Sequence, residues 1–226
     1  MRFAVSKVQG LVSGSASRGV SRLRNAAFGL ALAALGLGGV AAEAQTLASL
    51  PAEVGARVQG DAKPIAAWVT FCQNYAAECA LDRGEPARIS LTPATWATIV
   101  SVNRRVNKAI EPMTDQDHLH VADRWDLAED GIGDCEDFQL LKRHMLAEAG
   151  LPRRAMRMTV VIDEKGEGHA VLTLITDRGD LVLDNKTSAI LPWHKTGYVF
   201  IKRESQDAVA WVSLGGVTSP VTTANR

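Results

Sequence analysis

Residues 133–162 read GDCEDFQLLKRHMLAEAGLPRRAMRMTVVI, and a change of period inside this stretch decides the fold. Up to Ala149 the pattern is helical. Asp134 reads as the N-cap, with Asp137 three residues on as its capping-box partner. Phe138, Leu141, Met145 and Leu146 form an apolar stripe at helical spacing. Gly150 ends the helix and Pro152 confirms the stop. Past Pro152 the runs are those of strands: RMTVVI (157–162), HAVLTLIT (169–176), DLVLDN (180–185), YVFIKR (198–203) and AWVSL (210–214), divided by turns. Asp177-Arg178-Gly179-Asp180 is a hairpin turn.

Upstream, PIAAWVTFCQNY from Pro64 suggests a short helix. Thr92 is an N-cap followed by proline at the first helical position. Trp96, Ile99, Val100, Asn103, Val106 and Ile110 continue that helix until Pro112 stops it. Helices therefore come first and an antiparallel sheet follows, which is the order of an α+β domain. The domain is expected over 64–216, with a loose leader at 45–63 and a C-terminal tail at 217–226.

Residues 1–44 differ in kind. They hold Arg2, Lys7, Arg18, Arg22 and Arg24 against one acid, Glu43, and 26–40 read AAFGLALAALGLGGV. A basic start, an apolar run and Ala42-Glu43-Ala44 in that order read as a secretory signal cut after Ala44. The run is shorter than the roughly 20 residues of a spanning helix; an uncleaved anchor is the alternative. Export to the periplasm is the expectation. Beyond residue 44 there are 20 bases and 24 acids, with no basic stripe, which argues against nucleic acid as a partner.

Export also bears on Cys72, Cys79 and Cys135, because an oxidising compartment favours pairing and an odd count leaves one thiol over. Cys72 and Cys79 cannot pair inside one unbroken helix, where seven residues rise about 10 Å. A bridge between them requires the helix to end near Asn74. If it forms, Cys135 is left over.

Cys135 sits at a helix start, where unpaired N–H groups and the helix dipole favour a thiolate. A nucleophilic thiol needs a base and a group to orient that base. His169 opens a strand after the GEG of 166–168, and Asp184 closes the next strand of the same hairpin. Antiparallel pairing puts the two near one end, roughly opposite each other. A cysteine facing a His–Asp pair is a thiol-nucleophile geometry. Its oxyanion donors would be the Cys135 N–H and a second group, for which Asn103 and Asn107 are candidates.

Residues 115–137 contain nine acids and one strong base, Arg124. They read as a loop up to Gly133, packed through Val121, Trp125, Leu127 and Ile132. Helix capping alone accounts for Asp134 and Asp137, at about 0.3–1 kcal/mol each. It does not account for six further acids in the loop. Clustered hard oxygens suit Ca²⁺, although the spacing is not that of an EF-hand.

GDCEDF, LLKRHMLAEAGLP, GHAVL and LVLDN, in that order, resemble the bacterial transglutaminase-like cysteine proteinases, and the likeness runs from PIAAWVTFC through WVSL. The resemblance implies a papain-like, transglutaminase-type core with N-terminal helices packed on an antiparallel sheet. It implies catalytic roles for Cys135, His169 and Asp184. Some members are calcium-dependent periplasmic proteases that cut large surface adhesins and so release biofilm. There the acids beside the nucleophile bind calcium, which here are Asp134 and Glu136, with Asp137 as a neighbour. A protein substrate such as an adhesin, an inner-membrane regulator and a monomeric state follow from the same likeness. Acyl transfer to an amine by the same triad, as a transglutaminase or amidase, and a non-catalytic calcium- or adhesin-binding module are the competing readings.

Overall fold

Two local signals bound the helix Cys135–Glu148. At its start the Asp134 N–H donates to Asp137 Oδ2 at 3.3 Å. At its end Gly150 takes a φ of 87°, and the N–H groups of Gly150 and Leu151 return to the carbonyls of Ala147 and Leu146. This is a Schellman closure, which needs the left-handed residue that glycine supplies.

The computed structural model describes residues 55–216. The expected signal at 1–44, the leader up to residue 54 and the tail 217–226 lie outside the described residues. In chain order these form β1 (Gly60–Ala62), α1 (Ala66–Asn74), α2 (Ala76–Cys79), α3 (Pro93–Ala109), β2 (Glu111–Pro112), α4 (Asp115–His118), β3 (Ile132–Gly133) and α5 (Cys135–Glu148). Then come β4 (Met156–Ile162), β5 (Gly168–Thr176), β6 (Gly179–Leu183), β7 (Leu191–Pro192), β8 (Val199–Glu204) and β9 (Trp211–Ser213). Among the described residues no helix is long and apolar enough to cross a membrane.

The main sheet runs β1-β9-β8-β4-β5-β6-β7, antiparallel throughout. The β5–β6 hairpin turns at Asp177-Arg178, with Thr176 opposite Gly179. Met156, Met158, Leu172, Leu174, Leu181 and Leu183 are buried in one cluster with Phe138, Leu140 and Leu146 of α5 and Trp96, Ile99 and Val106 of α3. Each such side chain contributes about 1.5–3 kcal/mol on burial, so the hairpin is tied firmly to the helices. Alternation sends Val161, Val171, Val182 and Phe200 to the other face, where they form a second, smaller cluster.

Three readings change. Gly60–Ala62, expected in the loose leader, pairs with β9 as the edge strand of the sheet. The acid-rich stretch is not all loop: Thr114 caps α4, and β2 and β3 pair in parallel, which draws its two ends together. Val121 is 41% exposed and takes no part in the packing, whereas Trp125 and Leu127 are buried.

The α1 helix stops at Asn74, where Tyr75 leaves helical geometry at φ −121°, ψ 60°. The break brings Cys72 and Cys79 to a Cα–Cα distance of 5.4 Å, and they form a disulfide. Closing so short a loop removes about 2–3 kcal/mol of unfolded-state entropy. The double variant Cys72→Ser/Cys79→Ser is expected to lower the Tm by about 5–10 °C in calorimetry. An unchanged Tm would mean that the bridge carries no stability.

Candidate active site

Cys135 opens α5 against the end of the β5–β6 hairpin. The last pair of that ladder is Leu172↔Leu183, so Ala170 lies beyond it. Its N–H donates instead to Cys135 Sγ at 3.4 Å. The thiol is thus seated where β6 runs out, beside the residue that follows His169. Among the described residues Cys135 is the cysteine outside the disulfide, and it is 2% exposed.

Continuing the register sets Asp184 across from Val171, one diagonal step from His169. The His169 ring nitrogen Nε2 and Asp184 Oδ1 are 2.9 Å apart, and both residues are buried. With Nε2 engaged by a carboxylate, its proton belongs there and Nδ1 is left as the basic nitrogen. The Asp184 carboxylate also accepts the Lys186 N–H at 3.0 Å and the Tyr198 hydroxyl at 2.7 Å. Burial works against its charge, but the His169, Lys186 and Tyr198 contacts outweigh that and hold its pKa below the ordinary value.

The sequence offers Asn103 and Asn107 as oxyanion donors, and here the structure differs. The Asn103 amide donates to the Ser188 carbonyl, and the Asn107 amide donates to the Asp184 and Thr187 carbonyls. Both amides fasten the loop after Asp184. Lys142, fully buried on α5, reaches the same Asp184 carbonyl at 2.9 Å. Burial lowers its pKa to about 7.

The acids beside the thiol are the least compensated groups. Asp137 spends Oδ1 on the Asp126 N–H and Oδ2 on the Asp134 N–H. Both Asp134 side-chain oxygens, with Glu136 Oε1, are buried without a hydrogen-bond partner. The thiol donates to Glu136 Oε2 at 3.1 Å. Closure of the acid-rich stretch adds Asp115 and Asp123, whose carboxylates approach Glu136 within 4.8 Å. Burial, with neighbouring carboxylates adding to it, pushes Asp134 up to about 7, Asp137 up to about 9 and Glu136 well above the carboxylate range. The Cys135 thiol is driven well above its ordinary pKa by burial and by Glu136 and Asp134, against a smaller opposite pull from the Ala170 N–H.

Buried carboxylate oxygens without a hydrogen-bond partner are hard donors of the kind that calcium takes. Glu136 is shared by two close groups, one with Asp134 and Cys135 and one with Asp115 and Asp123, and these carboxylates suit such an ion. Asp137, expected among the ligands, instead has both oxygens on backbone amides. Asp115 and Asp123 could have been picked out only by knowing that α4 and the β2–β3 ladder fold the stretch back on itself.

A family model described as bacterial transglutaminase-like cysteine proteinase matches residues 58–219. Legionella pneumophila LapG is similar in structure, at 24% identity and a TM-score of 0.46 over 54% of this chain and 70% of that one. Its calcium-bound form gives 23% and 0.47 over 59% and 76%, and its EGTA-treated form 25% and 0.46 over 57% and 72%. No curated protein is a significant match.

Proposed function

We propose that this chain, which belongs to the bacterial transglutaminase-like cysteine proteinase family and so is a cysteine peptidase acting on protein, is an exported, calcium-dependent endopeptidase with Cys135 as nucleophile, His169 as base and Asp184 as orienting acid. The substrate in this reading is a cell-envelope protein such as a large surface adhesin, and the compartment is the periplasm. The single observation that carries the triad is the 2.9 Å His169–Asp184 contact, set next to the amide that holds the Cys135 sulfur.

The chemistry follows from that arrangement. His169 Nδ1 takes the thiol proton, and Cys135 Sγ attacks the scissile carbonyl. The developing oxyanion lies toward the Cys135 N–H at the helix start. Collapse expels the amine, which takes the proton from His169, and leaves a thioester. His169 then takes a proton from the water that attacks the thioester and returns it to the Cys135 sulfur as the C–S bond breaks, which frees the thiol and a carboxylic acid that ionises. Through both halves Asp184 keeps Nε2 protonated and the ring in place.

Asp134, Glu136, Asp115 and Asp123 would hold Ca²⁺, whose charge, when bound, offsets theirs. What supports this role is the buried, partnerless state of both Asp134 oxygens and of Glu136 Oε1. With that charge offset, the thiol is no longer penalised by its neighbours and Glu136 no longer competes for its proton.

Iodoacetamide is therefore expected to alkylate Cys135 at least about tenfold faster with Ca²⁺ than with chelator at neutral pH, which corresponds to one pKa unit. Equal rates, followed by mass spectrometry, would remove the calcium dependence. Incubating the full chain with envelope proteins of its own cell and sequencing the new N-termini tests the peptidase reading. A free carboxylate in the product, rather than a new amide, separates hydrolysis from transfer to an amine.

A further inference from the structure

The loop entering β8 brings a tyrosine to the back of the His–Asp pair. Gly197 turns that loop with a φ of 78°, which a Cβ would oppose. Thr196 Oγ1 then accepts the Tyr198 N–H at 3.2 Å and sets the direction of the side chain. The Tyr198 hydroxyl donates to Asp184 Oδ2 at 2.7 Å. Its ring stands edge-on to the His169 ring, with centroids 5.8 Å apart and an interplanar angle of 85°. One side chain therefore touches both members of the pair, by a hydrogen bond to one and a ring contact to the other.

The contacts on Asp184 are divided by atom. Oδ1 receives His169 Nε2 and the Lys186 N–H. The main-chain oxygen receives Lys142 Nζ and the Asn107 amide. These fix the backbone and one carboxylate oxygen, but a carboxylate held at one oxygen can still rotate about its terminal torsion. The contact at Oδ2 stops that rotation. It also points the lone pairs of Oδ1 at the imidazole, because the two oxygens share one plane.

Resting on the reading of Cys135, His169 and Asp184 as the triad, we infer that Tyr198 is a positioning residue, which fixes the plane of the Asp184 carboxylate through its hydroxyl and the His169 ring through its own ring edge. It touches neither the scissile bond nor the thiol in this role, so its loss is felt in turnover and not in substrate binding. The edge-to-face contact favours one tilt of the imidazole, the one that the Asp184 hydrogen bond also selects.

The test uses the full chain in the presence of Ca²⁺, with p-nitrophenyl acetate as an acyl donor that needs no knowledge of the peptide substrate. The initial burst reads acylation of Cys135 and the steady state reads deacylation. Tyr198→Phe keeps the ring and removes only the hydroxyl. It is expected to lower kcat about tenfold with KM unchanged, the lower end for a hydrogen bond to a charged group. Tyr198→Ala is expected to lower it further, because the ring contact goes as well. In an Asp184→Asn background Tyr198→Phe should add little, since its effect runs through the Asp184 carboxylate.

Wild-type kcat in Tyr198→Phe overturns the inference, and so does a full tenfold loss added on top of Asp184→Asn. A fall in Tm with kcat intact would make Tyr198 a purely structural residue and overturns it too. The parent reading fails separately, if Cys135→Ala or Asp184→Asn turns over the ester as fast as the unaltered chain.

Discussion

Replacing Cys135 with alanine is expected to bring peptide cleavage down on the order of 10⁶-fold, to whatever binding and the helix-start N–H still provide. The size follows from the role: without the sulfur there is no thioester, and water must attack an unactivated amide. Folding should survive, because the change removes one atom from a buried position and takes away a thiol crowded by Glu136 and Asp134. The Tm of Cys135→Ala should therefore match or exceed that of the parent. Asp184→Asn is the graded companion. Both the His169 nitrogen and the Lys186 N–H donate to Oδ1, so the asparagine oxygen is selected for that side, with its amide toward Tyr198. The imidazole keeps its tautomer but loses the charge that stabilises its protonated form. A loss of about 10²–10⁴ in kcat is expected, within the range of general acid–base catalysis. Fragment release by mass spectrometry and Tm by calorimetry check both variants. Retained cleavage in Cys135→Ala would place the chemistry elsewhere on the chain.

The elements whose signals are local are legible in the sequence itself. Asp134, Gly150 and Pro152 mark both ends of α5, and Thr92-Pro93 marks the start of α3. The alternating runs after Pro152 match β4, β5, β6, β8 and β9 within one or two residues. The hairpin turn is what brings His169 and Asp184 to one end, and it too is a local signal. What escapes such a reading depends on partners far along the chain. Lys142 and Arg143 are charged residues within α5, yet both are buried, because the Asp184 carbonyl and the Glu204 carboxylate wait for them 42 and 61 residues away. Leu140 lies deeper than Leu141 for the same reason: α5 is covered by α3 as well as by the sheet, so its apolar face is wider than one stripe. Asn103 and Asn107 look available for chemistry in the sequence. Their carbonyl acceptors lie in a loop that no propensity predicts.

Without Ca²⁺ the protein is expected to lose stability as pH rises from about 5 to 7, and Ca²⁺ is expected to restore it. The sign comes from linkage. Asp134 pushed up to about 7, Asp137 up to about 9 and Glu136 well above the carboxylate range keep their protons in the folded state after the unfolded chain, with ordinary carboxyls near 4, has lost them. The folded state then binds more protons, so stability is whole below about pH 4 and declines through the folded values. Glu78, Asp184 and Glu204 have lowered values and work the other way, but their contribution is complete once their unfolded forms have ionised, below this window. Lys142, at about 7, begins to oppose the trend only above it. A Tm fall of at least about 5 °C between pH 5 and 7 is a modest expectation at roughly 2–4 °C per kcal/mol for a chain of this size. Ca²⁺ at a hundred times its Kd adds about 2.7 kcal/mol, or about 5–10 °C. Because it binds ionised carboxylates, its effect should grow as pH rises and so reverse the slope. Glu136→Gln separates this from general ionic effects: it should raise the metal-free Tm at pH 7, by deleting a buried acid, and abolish the response to Ca²⁺. A Glu136→Gln protein that still gains 5–10 °C from Ca²⁺ would put the ion away from Glu136, and a flat metal-free profile would mean that these carboxyls are not strained in solution.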